Sequence, residues 1–186
     1  MHPILEQLYK DHQQFQRLLY SLQKEVGFIE QGKSKEANLP LILEAIEYFQ
    51  GYPEQWHHPV EEAIFAILRR KIAAPAAVIQ ILAQHAELEA MALQVGDLFD
   101  AMRDNQELPV EQIIDIYRGF VVVMSGHIDD ENQLIYPLIE RNLTAEDWTE
   151  VEKVAVEKAG PAAGEQLNAK YQRLYNHILS CEKSPI

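Results

Sequence analysis

The sequence predicts an all-α protein: an up-down-up-down bundle of four long helices, with two short C-terminal helices packed alongside. Three observations predict it. Apolar residues recur at three- and four-residue spacing through four long segments, the period of a helix with one buried face. Short breaks rich in Gly, Pro and Asn separate the segments, so consecutive helices run antiparallel. Each stripe also contains one histidine in the same phase as its apolar residues.

In the first helix the stripe is Leu5, Leu8, Phe15, Leu19, Leu22 and Val26, and His12 fills the missing place between Leu8 and Phe15. Gly27 and Gly32-Lys33-Ser34 mark its end. The second helix starts at Leu39. Gly51-Tyr52-Pro53 reads as an interruption, after which Glu54 to Arg70 resumes on the stripe His57, Glu61, Ile64, Phe65, Leu68. Pro59 removes an N–H from that stretch and predicts a kink. The stripe through His58 and Glu62 runs on to Arg69, which is polar, and so reads as a flank.

Ala73-Ala74-Pro75 is the next break. The third helix carries Val78, Ile81, Leu88, Ala92, Val95 and Phe99, with His85 in the gap and Glu89 one step to the side. After the loop from Asp104 to Pro109, the fourth helix carries Ile113, Ile116, Phe120, Val123, His127, Glu131, Leu134 and Leu138. Pro137 predicts a bend near its end. Thr144 followed by Glu146 and Asp147 is an N-cap with acid in the first turn. It opens a short helix to about Ala159. Gly160-Pro161 and Gly164 read as a break before a last helix from Glu165 to Ser180. The expected organisation is a bundle over residues 1–143 and a helical extension over 144–186.

Composition narrows the function. The net charge of -13, from 29 acidic and 16 basic residues, argues against a nucleic-acid partner. No apolar run reaches the length of a membrane span. Met1-His2-Pro3-Ile4 has no basic stretch before an apolar one, so no secretory signal is expected. Cys181 is the sole cysteine, which rules out an internal disulfide and a thiolate zinc site. A reducing, cytoplasmic setting is the simplest expectation.

The histidines point to a metal. Five of the seven have Glu four residues on: His2, His57, His58, His85 and His127. On a helix that spacing puts both side chains on one face. Burying one neutral His is ordinary. Burying His12, His57, His85 and His127 with Glu61 and Glu131 is not, because each unpaired buried polar group costs about 1–3 kcal/mol and a charge more. A metal centre removes the difficulty by taking all six as ligands. Four nitrogens and two carboxylates exceed one tetrahedral shell and suit two ions bridged by carboxylates, an arrangement known in helical bundles. Imidazole with carboxylate suits iron, manganese or zinc.

The order His, His-x-x-x-Glu, His, His-x-x-x-Glu resembles the hemerythrin family in its HHE cation-binding branch. His57-His58-Pro59-Val60-Glu61-Glu62-Ala63-Ile64-Phe65 resembles the branch's first motif. His127-Ile128-Asp129-Asp130-Glu131, running into Ile135-Tyr136-Pro137-Leu138, resembles its second. Tyr52-Pro53 and Leu143-Thr144-Ala145-Glu146-Asp147-Trp148 match as well. The resemblance implies a non-haem di-iron centre on His12, His57, Glu61, His85, His127 and Glu131, with the two glutamates bridging. It also implies a small diatomic or peroxide partner: a protein that binds or senses O2, NO or peroxide. The alternatives are iron handling or repair of damaged iron centres, and a di-iron peroxidase or oxidase. The enzymatic reading needs a substrate channel and a proton donor, and the sequence points to neither, so a binding protein is favoured. The oxygen carriers of the family have a second His on the third helix, where this chain has Glu89. They have Asp at the place of Asn132.

Overall fold

The computed structural model describes residues 1–72, 76–159 and 163–182. These are helical almost throughout, and no strand occurs among them. The helices are α1 (Pro3–Glu30), α2 (Leu39–Tyr52), α3 (His58–Lys71), α4 (Ala76–Arg103), α5 (Val110–Asp130), α6 (Tyr136–Asn142), α7 (Ala145–Ala159) and α8 (Ala163–Glu182). A π turn over Pro53–His57 joins α2 to α3 into one rod, and a second over Glu131–Ile135 joins α5 to α6. The result is four long rods with α7 against α3 and α8 against α2 and α1.

Two apolar cores fill the bundle. One gathers Phe15 to Ile29 of α1, Leu41 to Tyr52 of α2, Leu88 to Phe99 of α4 and Ile113 to Ile128 of α5. The late part of each odd rod thus meets the early part of the next, which is the up-down-up-down arrangement. The other core gathers Leu5 and Leu8, Val60 to Leu68, Val78 and Ile81, and Ile135 to Ile139. The C-terminal helices share these cores: Tyr171 and Ile178 of α8 enter the first, Trp148, Val151 and Ala155 of α7 the second. In every rod a buried histidine or glutamate lies where one core ends and the next begins. The bundle is therefore divided by a polar layer.

The prolines shape the chain at that layer. An α-helical Pro59 would press its ring on the Gln55 carbonyl, and Pro137 would do the same to Gln133. In both rods the preceding turn is widened instead, with the His58 N–H bonded to the Pro53 carbonyl and the Tyr136 N–H to that of Glu131. So the expected kinks take the form of π turns, which cluster at functional positions in helices.

Gly51 does not break the second helix. A Cβ there would lie 1.7 Å from the Tyr171 hydroxyl, so its role is the close approach of α8. Gly27 likewise stays inside α1, which runs on to Glu30 before Gly32 turns the chain at φ +73°. Gly164 lies within α8. Thr144 and Asp147 cap α7 reciprocally: the Thr144 N–H donates to the Asp147 carboxylate at 2.6 Å. The expected breaks at 73–75 and 160–161 fall outside the described residues.

Candidate metal centre

The six residues singled out by stripe phase come together in the polar layer. His57, Glu61 and Glu131 have no exposure, and His12, His127 and His85 are 1%, 1% and 4% exposed. They arrive from all four rods: His12 from α1, His57 and Glu61 from the first π turn and α3, His85 from α4, His127 and Glu131 from α5 and the second π turn.

Three of the four rings are fixed through the outer nitrogen. The His57 Nδ1–H donates to Asp11 Oδ2 at 3.1 Å. His12 Nδ1 meets Asn132 Oδ1 at 2.9 Å, and His127 Nδ1 meets Gln84 Oε1 at 3.2 Å. With the proton held on Nδ1, Nε2 is left as a bare lone pair turned inward, the orientation that metal-binding histidines adopt. Asp11 is itself held, accepting from Tyr52 at 3.0 Å and Gln7 at 2.8 Å on its other oxygen.

The inward atoms face one another at short range. His12 Nε2 lies 3.1 Å from His57 Nε2 and 3.1 Å from Glu131 Oε2. His57 Nε2 is 3.5 Å from Glu61 Oε1. On the other side, His85 Nε2 is 3.4 Å from Glu61 Oε2 and 3.5 Å from Glu131 Oε1. His127 Nε2 is 3.2 Å from Glu131 Oε2. With both protons on Nδ1, the two Nε2 lone pairs at 3.1 Å repel, and the Tyr136 hydroxyl lies 3.2 Å from His12 Nε2. The inward atoms of His85, His127 and Glu131, and Glu61 Oε2, have no hydrogen-bond partner. Ligand atoms about 2.1 Å from a shared ion lie about 3.0 Å apart in octahedral and about 3.4 Å in tetrahedral geometry. The observed separations, 3.1 to 3.5 Å, lie close to that range. The donor set fits a metal, and hydrogen bonding does not account for it.

The convergent atoms fall into two groups, His12, His57, Glu61 and Glu131 in one and His58, His85 and His127 in the other. Each glutamate belongs to the first and also reaches His85 of the second. His58 is a correction to the sequence expectation. It is 3% exposed rather than on a flank, stacked on the His85 ring at 4.0 Å between centroids. The reason is helical phase: His58 stands seven residues, nearly two full turns, before Phe65, and the buried face of α3 is wide enough to take both lines. Glu62 and Glu89 are exposed. Glu89 thus stands away from the polar layer. His2 stacks on Trp148, and His177 pairs with Glu44 at the surface.

Charge in the layer is finely divided when no metal is bound. Burial alone would lower the His85 pKa, but the Glu131 and Glu61 carboxylates outweigh it and push it up to about 10. His127 is lowered to about 4, because burial exceeds the pull of the same carboxylates. His58 is lowered by burial too, against the Glu54 hydrogen bond. Burial and the mutual repulsion of the two glutamates oppose their ionisation. The facing histidines nevertheless hold both below the usual carboxylate range.

Five residues that the stripe reading assigned no role shape the site: Asp11, Glu54, Gln84, Asn132 and Tyr136. Tyr136 is fully buried, stacked on His12 at 5.1 Å, and donates its hydroxyl proton to Glu61 Oε1 at 2.5 Å. Its phenol is held well above its ordinary pKa by burial and by Glu61 and Glu131, so it stays protonated.

A family model, the Hemerythrin HHE cation binding domain, matches residues 3–139 and, in a second overlapping alignment, residues 76–183. The chain belongs to that family, and it is a metal-binding, hemerythrin-like protein by both family and donor set. Among curated proteins none matches the chain. No described helix is long and apolar enough to cross a membrane.

Proposed function

We propose that the chain holds two non-haem iron ions and uses them to bind or sense a small oxidant: O2, nitric oxide or peroxide. The observation that carries this reading is the spanning position of the carboxylates. Glu61 turns Oε1 toward His57 and Oε2 toward His85. Glu131 meets His12 and His127 through one oxygen and His85 through the other. One ion would be held by His12 and His57, the other by His85 and His127, with Glu61 and Glu131 between them. Nitrogen and carboxylate donors suit iron, and manganese or zinc would be accepted by the same set.

The iron pair would supply electrons to, or take them from, the bound molecule. The chain supplies the rest. Near-complete burial of every candidate ligand suits a partner of diatomic or peroxide size. Asp11, Asn132 and Gln84 keep the imidazoles of His57, His12 and His127 in one tautomer. Tyr136 keeps a hydroxyl proton beside Glu61, within the layer. That last observation favours a second reading, a peroxidase or oxidase, because it provides the proton donor such a reaction requires.

Anaerobic loading with ferrous iron, followed by air, nitric oxide or peroxide, tests the proposal. A stable new charge-transfer band supports binding or sensing. Sustained peroxide consumption moves the reading to an enzyme. Oxidation with release of iron moves it to iron handling, and absence of any iron-dependent spectral change refutes it.

A further inference from the structure

We propose that His58 is a seventh protein ligand, its Nε2 joining those of His85 and His127 to give the second ion three nitrogens. This rests on the two-ion reading above and adds a residue to it. His58 repeats the arrangement of the other inward histidines. Its Nδ1 lies 2.9 Å from Glu54 Oε1, and a carboxylate can only accept, so Nδ1 carries the proton. Its Nε2 is then a bare lone pair. That atom is buried and has no hydrogen-bond partner. A ring that merely filled space would leave this acceptor unsatisfied, at a cost of about 1–3 kcal/mol.

The surroundings say what the lone pair faces. One nitrogen from each of His58, His85 and His127 falls within 4.8 Å of the other two. The His58 ring lies parallel to His85 at 4.0 Å and nearly perpendicular to His127 at 5.8 Å. No other imidazole nitrogen is available to that side from α4, where the residue one turn after His85 is the exposed Glu89. The first π turn makes the assignment sterically natural. It ends at His57, so His57 and His58 leave the widened turn side by side, each aimed at a different group of donors.

The two ions therefore differ in their protein donors. His12 and His57 give the first two nitrogens, and His58, His85 and His127 give the second three. The test is anaerobic ferrous iron titration of the full chain and its His58 variants, with the metal-free melting temperature of each. The wild type should take two equivalents. His58→Phe keeps the ring volume and the stack on His85 but offers no nitrogen. It should fold as well as the wild type and bind the second equivalent at least about tenfold more weakly. His58→Gly should lose the same equivalent and regain it when free imidazole is added, which a space-filling role would not produce. His58→Phe holding two equivalents as tightly as the wild type overturns the inference. So does His58→Gly that imidazole leaves unchanged, and this second arm decides if His58→Phe misfolds. A wild type that takes fewer than two equivalents instead overturns the two-ion reading itself.

Discussion

Asp11→Asn perturbs the site without touching a candidate ligand. Asp11 is fully buried and accepts three protons, one from His57 on Oδ2 and two, from Tyr52 and Gln7, on Oδ1. Asparagine has one acceptor oxygen, so one side of the residue must become a donor. If the amide nitrogen faces His57, two N–H groups oppose each other. The imidazole then moves its proton to Nε2, where it blocks the lone pair aimed at the centre. If the nitrogen faces Tyr52 and Gln7, those donors lose their acceptor in a buried pocket and the carboxamide is pulled from His57. Loss of such outer support lowers metal affinity by about 10–100-fold, about 1.4–2.7 kcal/mol. The loss should fall on the ion held by His12 and His57. Competition titration with a chelator, under anaerobic conditions, measures both affinities. Circular dichroism checks that the bundle is intact. Wild-type affinity at both positions, or a loss confined to the His85 and His127 side, would refute the reasoning.

Four further outcomes are expected. Tyr136→Phe keeps the stack on His12 but removes the proton from Glu61; two equivalents of metal should still bind, and the oxidised site's spectrum should shift, as measured by optical titration. In the metal-free chain His85 is held charged at neutral pH, its pKa up near 10. Metal must displace that proton, so loading at pH 7 should release protons, seen as buffer-dependent binding heats in calorimetry; buffer-independent heats would contradict this. His127 runs the other way, down to about 4 folded against about 6.5 unfolded, so its neutral form stabilises the fold above pH 6.5 and that contribution is lost as pH falls toward 4. Melts of the metal-free chain should show a falling transition temperature across that window. Gly51→Ala drives a methyl into the Tyr171 hydroxyl and should cost about 1–3 kcal/mol, or roughly 2–12 °C in a chain of this size, measured by a thermal melt, with α8 becoming sensitive to limited proteolysis.

The four rods and six candidate ligands were legible in the sequence because a buried helix face imposes one period, and His12, His57, His85 and His127 keep it. What escaped followed from departures from that period. His58 looked peripheral because its stripe through Glu62 runs on to Arg69, whereas a spacing of seven leads it to Phe65. The π turns could be sensed as trouble at Pro59 and Pro137, but their widened geometry depends on how neighbouring rods pack. Gly51 read as punctuation because the residue that needs it, Tyr171, is far along the chain. Asp11, Asn132 and Gln84 carry no periodic signal, since each acts by reaching a ring on another rod. Glu54 did carry one: it lies four residues before His58, a His–Glu spacing in the direction opposite to the one that marked Glu61 and Glu131.

The two-ion iron centre is tested most directly by loading the chain anaerobically with ferrous iron, removing loose metal on a desalting column, and combining iron analysis with Mössbauer spectra before and after oxidation. Two irons per chain, with the oxidised pair magnetically coupled to a diamagnetic ground state, is the predicted result. One iron per chain, or ferric ions that behave as isolated paramagnets, would contradict it.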